Sequence, residues 1–198
     1  LLSQLDMGLE RLSPSYADIA ALIRHLQANY PGDIGLLAPM YLNILHLQAG
    51  QAIYLPAGIL HSYVEGLGVE LMANSDNVIR GGLTSKHIDV EELFSVIHWE
   101  HFSPILLDAK EEALYSFPTP SREFCLERAV LRPQRPLRLP ARGARILLSV
   151  EGSVHIASKN ENVALAKGQS AFVSALAGDI ELSGSGTLFS ARSGRPGA

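Results

Sequence analysis

The stretch Gly50-Gln51-Ala52-Ile53-Tyr54-Leu55-Pro56-Ala57-Gly58-Ile59-Leu60-His61 decides how this chain is read. Gly50 can turn the chain between two strands, because glycine accepts the backbone conformations a tight turn needs. The five residues after it suit one short strand, with Ile53 and Tyr54 at its centre. Pro56 and Gly58 then make a second tight turn that aims the next extended segment back across the first. His61 opens that segment and is expected to point inward, where an imidazole can bind a metal. Tyr63 lies two residues on and shares its face.

Upstream, the rhythm is helical. Leu2, Leu5, Leu9 and Leu12 fall on one face, and so do Ile19, Leu22, Ile23 and Leu26. Ser13 or Ser15 can cap the second helix, and Pro31-Gly32-Asp33 ends it. From Tyr41 the pattern turns to strand. Leu42–Leu47, Ala52–Leu55, His61–Val64 and Val69–Met72 are the expected segments. Val90–Ile97 reads as a short helix, with Asp89 as its cap and Glu91 and Glu92 in its first turn.

Pro104, Pro118, Pro120 and Pro133 mark a boundary region, in which only 108–114 has a helical rhythm. Short strands are expected at 124–131, 144–150, 154–157, 163–165, 170–173, 180–183 and 187–190. Gly152, Gly168, Gly178, Gly184 and Gly186 punctuate them, and the tail from Ser193 is expected to fray. Many short strands with glycine turns indicate a sandwich or barrel.

Composition narrows the function classes. Of 198 residues, 47% are hydrophobic and 18% charged, enough apolar surface to build a core. The net charge of −4 argues against a dedicated nucleic-acid binder. The single cysteine, Cys125, excludes an intramolecular disulfide framework and a cysteine-rich zinc site. It fits a reducing compartment. No uncharged apolar run approaches the roughly 18 residues that would span a bilayer. The chain opens Leu1-Leu2-Ser3, without an initiator Met or a secretory-signal layout. The start is therefore expected to be a cut in a longer protein.

The Gly-x5-Pro-x-Gly-x2-His spacing resembles the second motif of the cupin jelly roll. The block Val69 to Lys86, with Ser75-Asp76-Asn77 and Arg80-Gly81-Gly82-Leu83 inside it, resembles the signature of type I mannose-6-phosphate isomerases. So do Pro31-Gly32-Asp33-Ile34-Gly35-Leu36-Leu37-Ala38-Pro39, Leu42-Asn43 and Leu47-Gln48-Ala49-Gly50. The resemblance runs from about Tyr30 to about Glu100. It then thins, until 168–175 matches the family's terminal barrel. Gly81 departs from the pattern, since many members carry Ala after the arginine.

The resemblance implies a mainly β fold: cupin-type jelly-roll units with an N-terminal helical segment. The expected units are 1–37, the end of a helical subdomain; 38–104, the second part of the catalytic cupin; and 105–198, a terminal jelly roll. It implies a zinc-dependent aldose–ketose isomerase that interconverts mannose 6-phosphate and fructose 6-phosphate through an enediolate. It further implies one Zn2+ per full-length enzyme, a cytoplasmic and monomeric protein, and a place in GDP-mannose biosynthesis.

Carried over residue by residue, His61 matches the one zinc ligand of this half of the family. A Gln-x-His pair and a Glu would lie before Leu1. Arg80 matches the catalytic arginine. Its guanidinium stays charged and offers a fixed fork of donors to an enediolate or a phosphate oxygen. Asp76 is a candidate for proton transfer or for holding Arg80. Lys86, Tyr63 and Glu70 match positions lining the pocket, with Lys86 a phosphate partner. The partner implied is a sugar phosphate, with neither nucleic acid nor membrane.

Each residue also has a plainer reading. Asp76-Asn77 suits a turn, Lys86 and His87 a solvated pair, and Glu70 a structural ion pair. His98 and His101 lack the usual zinc-helix spacing and read as surface or packing residues. His25, His46, His87 and His155 are isolated. Arg132, Arg135, Arg138, Arg142 and Arg145 read as a solvated basic linker ahead of a barrel without a metal site. The rival function is a non-catalytic sugar-binding or regulatory cupin. A cupin dioxygenase-type enzyme is a second rival and leaves the Ser75 to Arg80 block without a role.

Overall fold

The structure is a computed structural model and describes residues 4–75, 77–108, 110 and 112–194. The chain falls into two compact units. One comprises Leu1–Leu47, Leu55–Glu65 and Asp76–Pro104; the other comprises Gln48–Tyr54, Gly66–Ser75 and Ile105–Ala198.

The first unit opens with two helices, α1 (Leu5–Glu10) and α2 (Ala17–Asn29). Leu9, Ala20 and Ile23 bury together, with Leu5, Leu12 and Ile19 around them, so the leucine and isoleucine stripes meet as their spacing requires. Neither Ser13 nor Ser15 caps α2. Ser13 instead precedes a short 3-10 turn, Pro14–Tyr16, and α2 starts after Tyr16 without a side-chain cap. A second 3-10 helix, Ile34–Met40, follows the Pro31-Gly32-Asp33 break. Its cap is Asp33, which accepts from the Gly35 N–H at 2.7 Å. Helix α3 (Val90–Val96) has the expected cap, Asp89, accepting from the Glu92 N–H at 3.0 Å.

The expected strands between Tyr41 and Met72 form only one short ladder. β1 (Ala52–Ile53) pairs with β2 (Leu106–Leu107). Residues 42–47, 61–64 and 69–72 are extended but join no ladder, and none of the described residues from 41 to 104 is buried. A strand needs a partner for its backbone groups, and apolar alternation alone does not supply one. The 108–114 stretch forms no helix among its described residues, and Leu114 already belongs to a strand.

The second unit carries a seven-stranded antiparallel sheet. Its strands are β3 (Leu114–Ser116), β4 (Phe124–Leu131), β5 (Leu137–Leu139), β6 (Arg145–Ala157), β7 (Asn162–Ala166), β8 (Ser170–Val173) and β9 (Ile180–Ser193). β6 and β9 pair along almost their whole length. Around one half of that pair lie β4, against 186–193, and β8, against 145–148. Around the other half lie β5, against 180–182, and β7, against 153–157. Leu131, Leu139, Leu147, Val154, Leu182 and Leu188 fill the interior. This is the mainly β, jelly-roll-type fold expected, with all α-helices among the described residues before residue 97 and one short 3-10 turn, Ala175–Ala177, between β8 and β9.

Two details differ from the sequence reading. The pairs 144–150 with 154–157 and 180–183 with 187–190 are each one strand. The glycines between them are not turns but the points where β6 and β9 approach most closely. All three have positive φ: +72° at Gly152, +108° at Gly184 and +148° at Gly186. A Cβ on Gly186 would run into the Glu151 carbonyl, and one on Gly152 into the Ser185 carbonyl. Beside them, a bulge between Ser149 and Glu151 shifts the register. Inward residues on β6 are odd before it (Arg145, Leu147, Ser149) and even after it (Val154, Ile156), as one extra residue demands. Gly186→Ala should therefore lower stability by about 1–3 kcal/mol through backbone strain, measurable as a lower denaturant midpoint with an unchanged slope. The fraying expected from Ser193 is not found at its first two residues: Ser193 ends β9 and the Gly194 N–H donates to the Glu123 carbonyl at 3.0 Å, while 195–198 lie outside the described residues.

Candidate active site

The Pro56 to His61 turn is built as its residues dictate. Gly58 has φ +80°, and its carbonyl accepts from the His98 N–H at 2.9 Å. A Cβ at Gly58 would run into the His98 ring, so only glycine fits. His98, read from sequence as a packing residue, thus closes the turn that presents His61.

His61 is exposed rather than pointing into a barrel interior. Its Nδ1 lies 2.8 Å from the Ile59 carbonyl. A carbonyl can only accept, so Nδ1 carries the proton and Nε2 keeps its lone pair outward. That is the state of a metal-ligating histidine held by a backbone partner. Tyr63 shares the face as expected, its ring edge-on to His61 with centroids 6.0 Å apart.

The Arg80 to Lys86 block sits beside this turn. A Cβ at Gly81 would come 2.5 Å from Leu60 Cδ1, so the Leu60 side chain occupies the place of an alanine methyl. The departure at Gly81 is thereby accommodated. On its other side, a Cβ at Gly35 would meet Leu83 at 2.9 Å, and one at Gly82 would meet the Gly35 backbone at 3.2 Å. Asp33 ties the two segments: Oδ1 caps the 3-10 helix and Oδ2 accepts from the Thr84 N–H at 3.4 Å. The Lys86 N–H donates to Thr84 Oγ1 at 3.1 Å. Three motifs separated in sequence (31–39, 56–61 and 80–86) are therefore neighbours, and the close contacts explain Gly35, Gly81 and Gly82.

Arg80 and Lys86 are exposed. Glu70 is exposed in the 66–75 segment, which belongs to the second unit. Asp76 lies outside the described residues. Among the described residues, no three of His, Cys, Asp and Glu converge on one point. His61 fits zinc as one ligand of a set.

A second polar cluster went unseen in the sequence. Glu127, Arg145 and Arg192 are buried in the second unit, on β4, β6 and β9. Glu127 Oε1 accepts from Arg192 Nη2 at 3.2 Å. Its Oε2 lies 3.5 Å from Arg145 Nη1 and accepts from Ser190 Oγ at 3.2 Å. Arg145 is thus no part of a solvated linker. Burial lowers its pKa from the usual arginine value, with Glu127 opposing. Burial likewise pushes the neighbouring Cys125 thiol up. Strand parity carried the signal: Arg145 alternates with Leu147, and Glu127 with Ala129 and Leu131. Arg138, by contrast, is exposed and pairs with Asp179 at 2.6 Å.

Comparison with known proteins gives the class first. A family model described as "Mannose-6-phosphate isomerase, cupin domain" matches residues 113–193, from the residue before β3 to the end of β9. Mannose-6-phosphate isomerase of Salmonella typhimurium is 36% identical over 169 residues, covering 84% of this chain and 43% of that protein. Mannose-6-phosphate isomerase 2 of Arabidopsis thaliana is 34% identical over 164 residues, covering 81% of this chain and 36% of that protein. A crystal structure of the Salmonella typhimurium enzyme, bound to fructose 6-phosphate and zinc, superposes with a TM-score of 0.83 at 31% identity. It covers 98% of this chain and 49% of that one. Together these matches support a likeness to the C-terminal portion of type I mannose-6-phosphate isomerases. It spans less than half the length of these curated relatives.

Proposed function

We propose that the protein containing this chain interconverts mannose 6-phosphate and fructose 6-phosphate through an enediolate. The observation that carries this reading is the likeness to a relative solved with fructose 6-phosphate and zinc. The juxtaposed His61 turn and Arg80 block support it from this chain's own geometry.

His61 would supply one nitrogen to the zinc through Nε2. Zinc so bound would polarise the sugar carbonyl and stabilise the oxyanion that develops on it. Arg80 offers a permanent charge and paired donors to the same oxygens. Lys86 offers a point charge for the substrate phosphate, Tyr63 and Glu70 line the pocket, and Asp76 moves the proton or holds Arg80. The remaining ligands come from outside the described residues, so the 198-residue chain alone should bind zinc weakly and lack isomerase activity. That no described residue from 41 to 104 is fully buried agrees with a half-barrel that other strands complete. The reading brings with it one zinc, a cytoplasmic monomer, a place in GDP-mannose biosynthesis, and no nucleic-acid or membrane partner. No helix among the described residues is long and apolar enough to cross a membrane.

The test is a coupled isomerase assay with metal analysis on the intact protein. Activity with mannose 6-phosphate, abolished by chelation and restored by zinc, is expected. Failure on both sugar phosphates, with sugar binding intact, would favour the non-catalytic cupin. His61→Ala should weaken zinc by more than the roughly 10–100-fold that loss of an outer-shell partner costs, as read by competition with a chromogenic chelator.

A further inference from the structure

The second barrel was expected to hold no metal, yet one end of its interior is strongly polar. Glu127 is a single carboxylate facing two guanidiniums, Arg145 and Arg192, and all three side chains are at most 5% exposed. The buried cluster therefore carries one uncompensated positive charge. Burying an unmatched charge costs several kcal/mol, so a fold that keeps one has a use for a counter-charge.

Space for one adjoins the cluster. A cavity of about 120 Å³ is lined by Ser116, Glu127, Leu139, Pro140, Arg142 and Arg145, with Leu114 beside them. Arg145 is fixed at its wall, because Nη2 donates to the Pro140 carbonyl at 2.7 Å and Nη1 lies 3.3 Å from Ser190 Oγ. Arg142 is exposed at the rim. Ser116 Oγ donates to Glu127 Oε1 at 3.4 Å and so completes the wall beside the carboxylate. The volume suits a single oxyanion of phosphate size and is too small for a whole hexose phosphate.

We propose that this cavity is a binding site for a phosphate-sized oxyanion, held between the Arg142 and Arg145 guanidiniums. Guanidinium forks match the paired oxygens of such an anion. Glu127 keeps Arg145 aligned; with Arg142 the cavity lining carries one net positive charge, and Arg192, paired to Glu127 outside the lining, adds a second. The site lies within the second unit and does not depend on the isomerase reading.

The test is calorimetric titration of the intact protein with inorganic phosphate at constant ionic strength. One saturable site is expected to survive in an Arg80→Ala, Lys86→Ala background. Arg142→Ala should weaken it about tenfold or more, whereas Lys159→Ala, which removes an equal charge from an exposed position elsewhere, should leave it unchanged. Arg142 is exposed, so its variant should fold, and a far-ultraviolet spectrum checks this. No saturable binding, equal loss in Arg142→Ala and Lys159→Ala, or loss only in the Arg80, Lys86 background would each overturn the proposal.

Discussion

Glu127→Ala is expected to lower the unfolding free energy of this chain by about 3–5 kcal/mol, the usual cost of stranding a buried charge. Among the described residues the carboxylate is the only acidic partner of Arg145 and Arg192, which stay buried when it is gone. The remaining acceptors near them, the Pro140 and Ser193 carbonyls, are neutral. Glu127→Gln keeps the shape and one acceptor and should fall between the two. Replacing Glu127, Arg145 and Arg192 together by apolar residues of similar volume should recover most of the loss, because the desolvation cost disappears along with the pairing. Urea unfolding of the four proteins measures this directly. A triple variant as unstable as Glu127→Ala would show that the network contributes more than its charge balance.

Arg80→Ala, in the intact protein, should reduce turnover by about 10²–10³-fold, the usual result of removing one preorganised donor to a developing oxyanion. Zinc content should stay at the wild-type level, because Arg80 is not a ligand. That separates it from His61→Ala, which should lose metal first and activity with it. Arg80→Lys keeps the charge but not the fork and should recover only part of the rate. Steady-state kinetics with metal analysis on each variant decides the matter, and an Arg80→Ala enzyme with normal turnover would remove Arg80 from the reaction.

The sequence was most legible where one residue type is physically required. Gly58, Gly81 and Gly82 sit where a Cβ would meet a neighbour, and Asp89 caps its helix with the bond its position suggests. Helix α2 and strand β4 followed from simple periodicity. The failures have three causes. Apolar alternation between Tyr41 and Met72 was read as strand, but a ladder depends on a second chain segment that local pattern cannot supply. Glycines within β6 and β9 were read as turns, because turn and close strand approach ask for the same residue. The Glu127 cluster was missed for a different reason: charge density near the prolines drew attention to Arg145 as one of five arginines, when its strand parity set it apart. Of the 31–39 motif, sequence alone reads only the helix-ending Pro31-Gly32-Asp33. Its physical role, Asp33 bridging to Thr84, needed coordinates.

The continuous pairing of β6 with β9 bears on how the second unit must fold. Phe124 pairs with Ser193, and Arg145 with Arg192, so the central strands of the sheet are joined only after most of the unit has been made. Such long-range closure carries a large loop entropy and is slow. Because both strands run through the two halves of the sheet, neither half offers an intermediate that could form first and wait. Folding should appear as a single slow phase. Partial digestion should yield either the whole 113–193 region or small peptides, with little in between.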